Sequence, residues 1–199
     1  MCCNGGVTLR LDPSLEKGYE IIHKATFDPA PALKALRERL PNAKYALEDE
    51  DGNFLSTERF QDASFGVESI GVDFQTMLDS TAVRVVVFSS ENTSDEFNEA
   101  IKHIGLSGVT YSVGWTAWLD IAAEGVTKAS ALEALRHKLG TDLANTVAVG
   151  DGRNDIEMLT WAGRGVAMGQ APDEVIAVAD EVTASVLDDG AAQVLRSLL

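Results

Sequence analysis

With 199 residues, 45% of them hydrophobic and 24% charged, the chain can bury one good-sized core, or one core with a smaller appended domain, and it is too apolar for a disordered segment. Its 31 acidic residues against 16 basic ones give a formal net charge of −15. That balance repels a phosphate backbone or an anionic membrane, so neither nucleic acid nor membrane is expected as a partner, and a small anionic substrate needs a bound cation to approach. Cys2 and Cys3 are adjacent, which suits neither a disulfide framework nor a zinc site. No apolar run reaches the roughly 18 residues of a membrane span, and no basic segment leads an apolar one, so a soluble, cytoplasmic protein is expected.

In chain order, Leu33, Leu36 and Leu40 recur at helical spacing before Pro41, and Tyr45-Ala46-Leu47 is a short apolar stretch. Asp49-Glu50-Asp51-Gly52 follows it and reads as a hairpin turn. Arg84-Val85-Val86-Val87-Phe88 is strand-like, Phe97, Ala100, Ile101 and Ile104 mark a helix ending at Gly105, and residues 109–121 read as one or two strands carrying Trp115 and Trp118. This texture marks residues 20–120 as a separate small α/β domain. Beyond it, Leu132, Leu135 and Leu139 predict a helix capped by Thr127 and closed by Gly140. A strand at Thr146-Val147-Ala148-Val149 meets the turn Gly150-Asp151-Gly152, and Ile156, Met158, Leu159 and Ala162 predict the next helix, ending at Gly163. Gly165-Val166-Ala167-Met168 predicts a further strand, Pro172 opens a helix, Val182 sits in a short strand, and a last helix starts near Ala191. Alternation of this kind predicts a doubly wound parallel sheet with helices on both faces, whose sites lie beyond the carboxyl ends of the strands.

The loop Gly150-Asp151-Gly152-Arg153-Asn154-Asp155 lies at such an end. Its glycines permit tight turns, while two carboxylates and an amide supply hard oxygen donors of the kind magnesium prefers. Asp151 is then a direct metal ligand, Asp155 a ligand or the partner behind one, and Asn154 a hydrogen-bonding group for a phosphate oxygen. Taken alone, the same residues could simply cap the following helix. A dinucleotide site fits poorly, because the third glycine is missing and Asp151 stands where pyrophosphate would lie.

The surroundings sharpen this choice. Gly125-Val126-Thr127-Lys128-Ala129, the 150–155 loop with Ile156-Glu157-Met158-Leu159, then Ala162-Gly163-Arg164-Gly165-Val166-Ala167-Met168-Gly169, Ala179-Asp180-Glu181-Val182-Thr183 and Asp188-Asp189-Gly190 together resemble the haloacid dehalogenase-like superfamily, and within it the Cof-type phosphatases of subclass IIB. Asn4-Gly5-Gly6 resembles the turn that precedes the cap in those enzymes. The resemblance implies a core formed by residues 1–19 and 121–199, with residues 20–120 as an inserted α/β cap. It implies Mg2+ as cofactor, small phosphorylated metabolites such as sugar phosphates as substrates, and a phosphoaspartate intermediate. Lys128 becomes a catalytic and phosphate-binding lysine, Asn154 a phosphate-binding amide, and Asp151 and Asp155 the metal-site carboxylates. Alone, Lys128 would more often be a solvated surface residue.

The family's attacking aspartate and general acid lie in an Asp-x-Asp-Gly-Thr motif that should precede Asn4, where only Met1, Cys2 and Cys3 stand. The expectation is a core shortened by its first strands, on the order of 30 residues, and a chain without turnover of its own. The alternative is a non-catalytic binding protein that keeps the phosphate and magnesium pocket. Asp49 and Asp51 do not replace the motif, because they fall in the cap and lack the threonine, although Glu48 could face a substrate. His23, His103 and His137 show no metal spacing and read as structural. Trp115, Trp118 and Trp161 read first as packing residues, with Trp115 and Trp118 as candidate substrate contacts.

Overall fold

The computed structural model describes residues 1–58, 69–114 and 116–199. It divides into two compact units, Met1–Val126 and Thr127–Leu199.

The first unit opens with an antiparallel hairpin, β1 (Val7–Leu11) and β2 (Tyr19–Lys24). It continues as α1 (Ala30–Arg39), β3 (Lys44–Asp49), β4 (Phe54–Ser56), β5 (Ile70–Gly71), α2 (Phe74–Leu78), β6 (Ala82–Phe88), α3 (Ser94–Ile104), β7 (Val109–Val113) and β8 (Trp118–Ala123). The six strands after the hairpin form one sheet in the order β5-β4-β3-β6-β8-β7. Alternation decides its faces: Tyr45, Leu47, Val85, Val87, Leu119 and Ile121 project to one side and join Leu33, Leu36, Phe97 and Ile101 of α1 and α3 in a single buried cluster. The other side carries Glu48, Arg84 and Asp120, the last two paired at 2.5 Å. The turn between β3 and β4 is the hairpin expected at residues 49–52, since Asp49 Oδ1 accepts the backbone N–H groups of Asp51 and Asn53. Helix α3 begins with a reciprocal cap between Thr93 and Glu96 and ends at Gly105 in the left-handed conformation, φ 66°.

The second unit runs α4 (Lys128–Leu139), β9 (Val147–Gly150), α5 (Ile156–Trp161), β10 (Arg164–Ala167), α6 (Asp173–Ile176), β11 (Glu181–Val182) and α7 (Gly190–Arg196). Its sheet is parallel, in the order β11-β10-β9. Ala167 is in register with Gly150 on one side and with Val182 on the other. All three strands therefore end level, and the segments after Gly150, Ala167 and Val182 leave the same edge of the sheet. Among the described residues, no helix is long and apolar enough to cross a membrane.

Candidate phosphate and metal site

The 150–155 loop leaves β9 and folds back through a single 3-10 turn, Arg153–Asp155, into α5. Asp155 holds it in that shape. Its side chain is 6% exposed, and its Oδ2 accepts the backbone N–H groups of both Asp151 and Gly152 at 3.0 Å. Only glycine fits at position 150, because a Cβ there would stand 2.5 Å from the Asp155 Cβ. At Gly152 a Cβ would meet Asn154 Oδ1 at 2.6 Å, so the Asn154 amide lies folded over that glycine.

The other oxygen of Asp155, Oδ1, accepts from Lys128 Nζ at 2.5 Å. Lys128 is the first residue of α4, after a Thr127 cap that exchanges hydrogen bonds with Ser130. A cation at this end opposes the helix dipole by about 0.3–1 kcal/mol, an arrangement that local helix stability does not favour. The Asp155 carboxylate offsets it, leaving the ammonium a quarter exposed. Farther along α4, Glu133 accepts from Arg136 through two nitrogens and from the Trp161 indole N–H at 2.8 Å, tying α4 to the end of α5. The Arg136 bonds, then the Trp161 bond, with the charges of Arg136 and His137 adding to them, pull the Glu133 carboxyl down to about 2.

Asp151, half-buried, directs Oδ2 to the Gln170 amide at 2.9 Å. Arg153 turns outward and pairs with Glu174. Among the described residues no group of three or more His, Cys, Asp or Glu side chains could hold a metal by itself. One half-buried carboxylate beside a lysine and an amide instead fits magnesium, which takes one or two carboxylates and completes its shell with waters and phosphate oxygens. The four residues singled out from the sequence, Lys128, Asp151, Asn154 and Asp155, thus occupy one strand end and the helix starts beside it. Gln170 was not singled out. The rule that marked the 150–155 loop, a segment just beyond the carboxyl end of a parallel strand, marks it equally.

Other residues flagged in the sequence have structural partners. Trp161 binds Glu133, Trp118 donates to Asp120 and packs on Phe88, and the ring of His103 meets the Glu99 carbonyl. Trp115 lies outside the described residues. Glu48 accepts from Cys3 Sγ at 3.1 Å, and burial, with Glu48 adding to it, pushes the Cys3 thiol up to about 12.

A sequence profile for haloacid dehalogenase-like hydrolases matches residues 1–195. The chain belongs to that family. Among its haloacid dehalogenase-like relatives, the 5-amino-6-(5-phospho-D-ribitylamino)uracil phosphatase YcsE of Bacillus subtilis (strain 168) is 44% identical over 78 residues, 39% of this chain and 31% of that protein. A phosphoglycolate phosphatase of Methanoculleus marisnigri is 33% identical over 111 residues, 56% of this chain and 47% of that one. The matches therefore span less than half the length of these two relatives. Among solved structures, the subclass IIB sugar phosphatase BT4131 superposes with a TM-score of 0.73 at 28% identity, covering 90% of this chain and 70% of that one. A haloacid dehalogenase-like hydrolase from B. subtilis reaches a TM-score of 0.79 at 22% identity, over 98% and 78% of the two chains, a likeness of fold. The family and the parallel-sheet α/β fold are those expected from the sequence.

Proposed function

We propose that the chain carries the metal- and phosphate-holding part of a magnesium-dependent phosphatase for small phosphorylated metabolites, sugar phosphates foremost, working through a phosphoaspartate. The observation that carries this reading is the Asp155 carboxylate, which grips Lys128 with one oxygen and the start of the 150–155 loop with the other. Lys128 offers a point charge to a phosphoryl oxygen, and Asn154 offers an amide without adding negative charge. Asp151 is the direct metal ligand. Asp155, with both oxygens engaged, acts as the metal-site carboxylate that fixes lysine and loop. Bound magnesium would supply charge neutralisation of the phosphate oxygens, which a chain of net charge −15 needs. The names of the relatives, a phosphorylated ribityl compound, phosphoglycolate and a sugar phosphate, support the substrate class. Residues 20–120 are assigned to an inserted cap and residues 1–19 and 121–199 to the core. Two free cysteines fit a reducing compartment, the cytoplasm.

Lys128, Asp151 and Asn154 can hold and orient a phosphate, but none of them supplies the attacking carboxylate, and no Asp-x-Asp-Gly-Thr motif occurs within the 199 residues. The 199-residue chain is accordingly expected to bind without turnover, which is also what a non-catalytic phosphate-binding role would give. Incubation with p-nitrophenyl phosphate and magnesium tests this directly. No release of nitrophenol is the expected result, and magnesium-dependent release that disappears in Asp151→Ala contradicts it.

A further inference from the structure

We infer that Gln170 is a positioning residue for the metal ligand: its carboxamide holds one oxygen of Asp151 and leaves the other for the cation. The inference rests on the reading of Asp151 as that ligand. Gln170 follows β10 by three residues, and the level ends of β9 and β10 bring it beside Asp151 although 19 residues separate them. Nε2 donates to Asp151 Oδ2 at 2.9 Å, while Oε1 accepts the backbone N–H of Val186 at 2.9 Å. Those two contacts fix the orientation of the amide. Turned over, it would set oxygen against carboxylate oxygen and N–H against N–H, losing both bonds. Val186 opens the 3-10 turn Val186–Asp188, with the Ser185 hydroxyl capping it. Gln170 therefore couples the segments after all three strands to a single carboxylate.

The consequence is chemical. With Oδ2 engaged, Asp151 meets a cation through one oxygen, as suits the small octahedral shell of magnesium; calcium accepts bidentate carboxylates and larger shells. Gln170 thus favours magnesium over calcium as well as raising affinity.

Calorimetric titration of the 199-residue chain with magnesium and, separately, calcium tests this. Wild type is expected to bind magnesium saturably and Asp151→Ala to bind neither ion. Gln170→Ala and Gln170→Leu are expected to lose about 10-fold in magnesium affinity with little loss for calcium, so that the ratio of the two falls. A purely structural role would weaken both ions together, and an unchanged ratio in both variants overturns the inference while leaving Asp151 as ligand. Absence of magnesium binding by wild type overturns both. Should the variants fail to fold, nitrogen-15 NMR of the wild type decides. The Gln170 side-chain amide is expected to shift with the calorimetric midpoint, and an amide that stays still overturns the inference.

Discussion

In Met1–Val126, order comes from apolar burial. Tyr45, Leu47, Val85, Val87, Leu119 and Ile121 on one sheet face lock with Leu33, Leu36, Phe97 and Ile101 from the helices, and these ten are almost wholly inaccessible. In Thr127–Leu199 the buried cluster is Ala148, Leu159, Ala167, Ala171 and Val175, three of them alanines. There, polar side chains bind backbone instead: Asp155 to Asp151 and Gly152, Asp180 to Gly165, Thr146 to Gly163, Thr183 to Gly190 and Gln170 to Val186. A small apolar core leaves the strand ends to be shaped by hydrogen bonds, and two of the side chains that make them, Asp155 and Gln170, also bond the candidate site residues Lys128 and Asp151. At Asp155 and Gln170 stability and binding should therefore be altered by the same substitutions.

Phe97→Ala, which empties the centre of the first cluster, is expected to cost about 3–5 kcal/mol, read as a fall in the urea midpoint. Asp155→Ala removes one small polar group in the second unit, yet it strands two backbone N–H groups and an ammonium. Its expected cost is about 3 kcal/mol, the lower end for a broken buried pair because Lys128 is partly exposed. Asp155→Ala should also abolish phosphate binding. A cost well below 1 kcal/mol would break the contrast between the two units. The smallest effect concerns Glu133. Its folded value near 2 lies below the ordinary 4.5, so its contribution is fully present above pH 4.5 and is lost as pH falls through about 2. Glu133→Gln should flatten the stability profile across that window in acid titrations followed by circular dichroism, and an unaltered profile would remove Glu133 from the α4 to α5 link.

The same contrast explains what could be read from the sequence. Helices α3 and α4 were legible because apolar periodicity and a closing glycine agree, joined at α4 by a threonine cap, and β9 because an apolar run stops at Gly150-Asp151-Gly152. Asp151, Asn154 and Asp155 could be picked out as oxygen donors just beyond a strand, and Lys128 through the family resemblance. The β1 and β2 hairpin went unseen: no residue of β2 is buried, it carries no apolar stripe, and its partner supplies the register. Gln170 lies beyond a strand end that the sequence marks, but its partner is set by the register of Ala167 with Gly150, a tertiary fact that local sequence does not encode. The Arg84 and Asp120 pair belongs to the same class, being joined by neighbouring strands 36 residues apart.

On the proposed reading, the 150–155 loop holds a cation and a phosphate together. Calorimetric titration of the 199-residue chain with orthophosphate, with and without magnesium, tests it most directly. Saturable phosphate binding that strengthens at least several-fold with magnesium and vanishes in Asp151→Ala is the expected result. Binding that ignores both magnesium and Asp151, or no binding at all, would contradict it.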